Sequence, residues 1–409
     1  MKPFSSLKAT AGYPYLLLAR ATSSIILWVD FTLIFSNLSY FWHASASTIG
    51  IASALYGLPG LLLGPFFGRF ADTHHPLSVL RSSYVCRGVT SLLLMFAPNQ
   101  FVFVLFVFLK GLSNLGAMPA EQILVRSMLT PSQLVDNARW MTTIDQLVKI
   151  AAPLLGAVMA SLYEPVAGFG LSATLSVAGI VFLLLLQRAH PFESAVSGPR
   201  KSPRLGALAG LLRTHAGFRH AFIASLVQTA VLGLYDPLLA LFLRAQGFPA
   251  ATFGAIVSCT AAGGIAGAML FKRAFSSGNT TRVLAIGLIG FGVTVFVPGT
   301  FAALHVPVSK YVLFASWLAN GACYGVTAMS FGVVLQAASP VHALGTISST
   351  ARSVQLAALV LGPLIGSNAA RWITIPMVFI VSGILAVLAG LLLCASPTSS
   401  RSALEAETR

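Results

Sequence analysis

The stretch GLPGLLLGPFFGRFAD, Gly57 to Asp72, carries no charge over its first twelve residues and is then closed by Arg69 and Asp72. Extended back to Ala46, the apolar run exceeds the about 20 helical residues that cross a hydrocarbon core, so its solvent is lipid. Gly60, Gly64 and Gly68 recur at every fourth position, a spacing that lets a neighbouring helix approach closely. The stretch also has an echo. Gly60, Arg69 and the pair Val79 and Leu80 find counterparts 204 residues later in Gly264, Arg273 and the pair Val283 and Leu284. The tract APLLG at Ala152 to Gly156 returns 210 residues later as GPLIG at Gly362 to Gly366. Two similar offsets point to two parallel repeats, an arrangement that places a substrate site at the midplane between halves.

Outward from that run, the rest of the chain reads the same way. Hydrophobic residues make up 56% of the 409 and charged residues 9%, which would leave a soluble globule coated in apolar surface. The chain divides into twelve apolar runs at roughly 14 to 39, 46 to 71, 78 to 97, 100 to 126, 137 to 160, 165 to 187, 219 to 243, 250 to 271, 283 to 304, 309 to 336, 344 to 370 and 372 to 394. The expected fold is an all-α integral membrane protein with twelve transmembrane helices in two six-helix pseudo-repeats. Its expected parts are an N-terminal bundle (1–187), a cytoplasmic linker (188–218), a C-terminal bundle (219–395) and a cytoplasmic tail (396–409). The first thirteen residues lack a secretory signal, so the first span is expected to act as an uncleaved anchor.

Basic residues fix the topology. Seventeen of the twenty-five Lys and Arg fall in segments on one side of the bilayer, and three, Arg244, Lys310 and Arg371, on the other. Cytoplasmic loops retain such residues, so both termini should be cytoplasmic, in the cell (inner) membrane. The net charge of +15 would suggest a nucleic-acid partner in a soluble protein, but here it borders spans and forms no aromatic-interleaved face. The linker holds Arg188, Arg200, Lys201, Arg204, Arg213 and Arg219 against Glu193. Within it Leu205, Leu208, Leu211 and Leu212 recur at helical spacing, which suits either a short helix on the anionic inner leaflet or a solvated linker. Cys86, Cys259, Cys323 and Cys394 lie far apart inside spans, and His74 and His75 lack further ligands nearby. No metal or cofactor is expected.

Seven charged residues lie at depth: Asp30, Arg87, Lys110, Asp145, Lys149, Asp236 and Arg352. Each costs about 2.5–3.5 kcal/mol on insertion scales, so each should face a cavity or a partner, and mutual neutralisation competes with a direct transport role. Asp30 and Asp236 stand 206 residues apart, nearly matched across the repeat, and with Asp145 they are the candidates for proton coupling; Asp30 is the first choice. Asp236 precedes Pro237, which favours a helix break. Asp145 and Lys149 are four apart on one helical face, where they can pair. The substrate-cavity candidates are Trp28, Arg87, Lys110, Lys149, Tyr235, Trp317, Tyr324 and Arg352, whose cations suit an anionic solute and whose rings can stack on aromatic solutes of either class.

The Gly57 to Asp72 stretch, followed by a short loop and Arg81, resembles the signature between spans two and three of the major facilitator superfamily. Gly68 and Asp72 match its Gly and Asp, while Thr73, His74, His75 and Pro76 replace its following basic and glycine residues. The resemblance therefore leaves Asp72, with Arg81 or Arg139, to latch the gate. Lys110 looks like the family's span-four arginine, with Ser113 and Asn114 where Gln and Gly are usual. Lysine holds the charge but lacks the bidentate fork. Pro153 and Gly156 match part of the antiporter motif on span five. Asp30 on span one, the tract LPG on span two and MPAEQILVRSMLTPSQLVDNARW from Met118 to Trp140 resemble the branch containing the enterobactin exporter and macrolide efflux pumps. That resemblance implies a monomer that meets lipid, protons and a small-molecule substrate.

No Gly-Lys dipeptide occurs, so a phosphate-cradling GxxxxGK[ST] loop is absent, and neither HExxH nor GxSxG is present. An enzyme is not expected. The reading is a secondary active transporter, a proton-coupled exporter of a siderophore or similar organic solute by alternating access. The alternative is a proton-coupled multidrug pump of the macrolide type.

Overall fold

A computed structural model describes residues 10–115, 117–162, 168–190, 207–275, 280–339 and 344–395. Every regular element among them is helical: α1 (Tyr13–Ser36), α2 (Ala46–Thr73), α3 (Pro76–Met95), α4 (Gln100–Ser113), α5 (Ala117–Met128), α6 (Pro131–Leu162), α7 (Gly168–Ala189), α8 (Ala207–Thr214), α9 (Ala216–Tyr235), α10 (Leu239–Ala245), α11 (Ala250–Phe275), α12 (Thr280–Ala303), α13 (Lys310–Ala338), α14 (Leu344–Trp372) and α15 (Ile375–Ala395). Lipid offers backbone groups no hydrogen-bond partner, and the helix satisfies them internally. Taking α4 with α5 and α9 with α10 as broken segments, and setting α8 aside, the described helices form twelve long segments. Nine of these are, among the described residues, long and apolar enough to cross a membrane. The three that fall short, α3, α4 with α5, and α6, carry Arg81, Arg87, Lys110, Glu121, Asp145 and Lys149.

Local chemistry sets the helix ends. Pro14 starts α1 behind Gly12, whose φ of +83° is left-handed and suits glycine. Asn99 caps α4 by accepting from the Val102 amide at 3.0 Å, and Ser309 opens α13 by accepting from the Tyr311 amide. A π-helical turn, Asn37–Phe41, prolongs α1. At Asp236 the expected break is present, because α9 ends at Tyr235 and a 3₁₀ turn, Asp236–Leu238, precedes α10.

The chain forms two compact units, one drawn mainly from residues up to 200 and the other from residue 201 onward; residues 46–50 join the second and residues 249–258 the first. In the first unit α1 packs on α6 and α7, and α3 on α4 and α7. The second unit repeats the pattern, with α9 on α14 and α15, and α12 on α13 and α15. The starts of α2 and α11 are 204 residues apart, as in the sequence repeat. One core of the first unit gathers Tyr13, Leu16, Leu80, Tyr84, Leu124 and Leu183. Large apolar side chains such as Phe101 and Leu392, 89% and 72% exposed, point outward as a lipid-facing surface requires.

Small residues do bring helices together, though not at Gly64. A Cβ on Gly64 would meet nothing within 4 Å. Close approach occurs at other glycines, as where a Cβ on Gly263 of α11 would lie 1.9 Å from the Leu318 carbonyl oxygen of α13, and one on Gly366 of α14 would lie 2.0 Å from that of Leu234 of α9. The linker does contain a short helix, and Leu208 and Leu211 of α8 are buried, with α9 and α14 as its neighbours. Arg200, Lys201, Arg204, Leu205 and the 396–409 tail lie outside the described residues.

Gly366→Val should lower the unfolding midpoint in detergent, since forcing methyl groups into close-packed backbone costs about 1–3 kcal/mol. Gly64→Ala should leave the midpoint unchanged or slightly raised, as helix propensity alone then acts.

Candidate functional site

Polar chemistry in the first unit concentrates on one helix. The α1 helix buries Asp30 completely, and its Oδ2 lies 2.8 Å from the Lys110 ammonium of α4, with neither side chain exposed. The Lys110 ammonium donates to the Arg87 carbonyl oxygen at 2.9 Å and to Ser91 Oγ at 2.6 Å and pairs by charge with Asp30, neither of whose carboxylate oxygens accepts a hydrogen bond among the described residues. Leaving either partner alone in this low-dielectric site would be costly, so the pair locks α1, α3 and α4 together. Around it, Gly111 admits the Tyr56 backbone; a Cβ there would stand 2.2 Å from the Tyr56 carbonyl oxygen. Asn114 donates to the Tyr56 hydroxyl at 3.2 Å, and Ser83 donates to the Ser113 carbonyl at 2.8 Å.

Arg87 is the odd cation. It is buried, donates from Nη1 to Ser23 Oγ at 2.5 Å and places its guanidinium 5.8 Å above the Tyr84 ring. Among the described residues no carboxylate lies within 4 Å of it, and its Nε has no acceptor. An arginine fork held out of water without a carboxylate suits an incoming anion.

A second ionic cluster was not foreseen. Arg20 of α1 reaches Glu121 of α5 from Nη1 at 3.0 Å and Asp145 of α6 from Nη2 at 2.9 Å, and Ser24 donates to Asp145 Oδ1 at 2.6 Å. The expected Asp145 to Lys149 pairing is therefore corrected: α1 takes Asp145, while Lys149 places its ammonium 5.9 Å over the Trp28 ring. Arg20 escaped the sequence reading because it lies near the start of a span, where a basic residue suits an interface; the Glu121 of α5 was the available signal.

The second unit is built differently. Asp236 lies in the 3₁₀ turn, with no ion pair or hydrogen-bond donor among the described residues, so the repeat does not give it the setting of Asp30. Tyr235 and Trp317, expected to line a cavity, are core rings at 0% and 2% exposure. Tyr235 packs 5.3 Å from the Phe379 ring and its hydroxyl is 3.4 Å from Asn320 Oδ1. Neither ring is open to stack on a solute in this conformation. Tyr324 and Arg352 are exposed. Neutral pairs supply the remaining polarity, with Gln228 donating to Thr327 at 3.3 Å and Gln355 to Ser225 at 2.7 Å. Of the gating residues, Arg81 donates to Gln187 of α7, while the side chains of Asp72 and Arg139, and the surroundings of Gly68, lie outside the described residues.

The sequence profile described as Major Facilitator Superfamily matches residues 17–279. The chain is 22% identical over 393 residues, covering 93% of this chain and 92% of the relative, to the uncharacterized MFS-type transporter YfiS of Bacillus subtilis (strain 168). Among solved structures, a point mutant of the nucleoside transporter NupG superposes with a TM-score of 0.77 at 13% identity, over 93% of this chain and 98% of that one. An inward-facing bacterial homologue of the iron transporter ferroportin gives 0.71 at 19% identity, over 94% and 98%. At these identities the structures speak to fold alone.

Lys110→Met should strand Asp30 and cost about 3–5 kcal/mol of stability, read as a lowered unfolding midpoint in detergent. Combining it with Asp30→Asn should recover most of that loss, because a charge no longer stands alone.

Proposed function

This chain belongs to the major facilitator superfamily, and we propose that it is a proton-coupled secondary transporter that exports an anionic organic solute of the siderophore type by alternating access. The observation that carries this reading is the sealed Asp30 to Lys110 pair beside the carboxylate-free Arg87 guanidinium. Protonating Asp30 removes its hold on Lys110 and loosens α1 from α4, which is how one proton would change helix packing. Arg87 supplies the charge that favours an anion, and a carboxylate or catecholate would meet its unused Nε. Lys149 of α6 over Trp28 of α1 adds a cation and a ring where these two helices meet. Residence in the cell inner membrane with both termini cytoplasmic follows from the Lys and Arg asymmetry, and a monomer follows from the resemblance to single-chain exporters.

Two measurements test this. Everted vesicles with an acidic lumen should accumulate a catecholate or carboxylate siderophore, and Asp30→Asn should abolish the response to the pH gradient while the protein still folds. Full coupling in that variant removes Asp30 from the mechanism, and accumulation driven only by the reverse gradient overturns export.

Arg87→Ala should weaken transport of an anionic solute by about tenfold or more, as expected for a charged hydrogen bond of about 1.5–3 kcal/mol, with a smaller effect on a neutral macrolide. Equal losses for both remove the charge argument.

A further inference from the structure

The Arg20 cluster has no part in that reading, yet its stoichiometry is uneven. Within contact distance one guanidinium serves two carboxylates, Glu121 and Asp145, which are respectively 13% and 29% exposed at the side chain. The two are not equally supplied. Asp145 receives a donor on each oxygen, from Arg20 on Oδ2 and from Ser24 on Oδ1. Glu121 receives Arg20 on Oε2 alone, and no described residue donates to its Oε1. The neighbouring hydroxyl of Tyr84 is already spent, since it donates to the Ala19 carbonyl. A small cavity lined by Leu16, Arg20, Ser23, Tyr84, Glu121 and Leu183, with room for roughly one water, opens beside the carboxylate.

We propose that Glu121 is a second proton-binding site, distinct from Asp30, which takes a proton on its unserved oxygen from the adjoining cavity and leaves Arg20 to Asp145. The charged and titratable groups around it are Arg20 from α1, Tyr84 and Arg87 from α3 and Asp145 from α6. Two carboxylates sharing one cation in a poorly solvated site resist joint ionisation, and the one with fewer donors takes the proton. The uptake balances simply: a proton from water adds to Glu121, the carboxylate becomes a neutral acid, and the ion triad becomes a single Arg20 to Asp145 pair. The neutral acid then has an O–H to donate to the cavity water, where the anion had only acceptors.

This site builds on the proton-coupled reading, but its readout needs neither solute nor flux. Infrared difference spectra of the full-length protein in detergent, recorded on acidification, should contain a protonated-carboxyl C=O band that Glu121→Gln removes, that Asp30→Asn retains, and that Asp145→Asn moves to lower pH because Arg20 then serves Glu121 alone. Carbonyl-labelled glutamate in the unsubstituted protein should shift the same band, which decides the matter even if Glu121→Gln fails to fold. Proton uptake after a pH jump should fall by one per molecule in Glu121→Gln. A band that moves only with labelled aspartate, vanishes only in Asp30→Asn, or responds to sodium and not to acid overturns the assignment. Loss of pH-driven flux with the band intact would count against the transport reading and leave this site standing.

Discussion

Charge withdrawn from water must be matched locally, and the Lys110 ammonium is where this chain meets that demand most completely. It donates to a main-chain carbonyl and a hydroxyl on two turns of α3 and pairs by charge with a carboxylate of α1. Such a pair adds little net stability over an apolar substitute, because desolvation consumes most of the Coulombic gain. What it adds is discrimination. Any packing that separates α1 from α4 leaves two uncompensated ions, so only packings that keep the pair, or states that neutralise it with a proton, are accessible. Because Lys110 also grips the main chain of Arg87, the pair ties the α1 carboxylate to the backbone of α3.

The two units share helix pairing but not chemistry. In the first, ionic groups join α1 to α3, α4, α5 and α6. In the second, amides and hydroxyls do the equivalent joining, as in Gln228 to Thr327, Gln355 to Ser225 and Asn320 to Thr294. Neutral interhelical bonds of this kind average about 0.6 kcal/mol, so glycine contacts between backbones must carry much of the cohesion there. The close approach of Gly263 and Gly366 to facing carbonyls fits that division of labour.

Much of the fold was legible because lipid constrains composition directly: spans, repeat offset and the break at Asp236 and Pro237 all follow from which residues hydrocarbon tolerates. The buried ions were legible for the same reason, since Asp30 and Lys110 stand out in apolar runs. Their partners were not. Pairing depends on how each helix is rotated, and a local rule misled at Asp145 and Lys149, which share a face yet turn to different residues of α1. Aromatic rings misled in another way. Tyr235 and Trp317 have the chemistry to stack on a solute, but a large ring also fills core volume, and sequence does not distinguish the two uses.

Helix α1 emerges as the element on which the first unit's charges converge. Arg20 holds α5 and α6, Ser23 receives Arg87 of α3, Ser24 and Trp28 meet α6, and Asp30 holds α4. From Arg20 to Asp30 these contacts span about 15 Å at 1.5 Å per residue, roughly half the hydrocarbon thickness. A neutral interhelical contact is worth about 0.6 kcal/mol, whereas stranding one member of a buried ion pair costs about 3–5 kcal/mol. The ionic contacts therefore outweigh the neutral ones in deciding where α1 lies, and they alone among these contacts change with the arrival of a proton or an anion. A helix gripped mainly by titratable groups is free to take a second packing only when those groups are neutralised in concert. Under the proposed proton coupling, that requirement ties proton occupancy to helix position without any contact designed for motion alone.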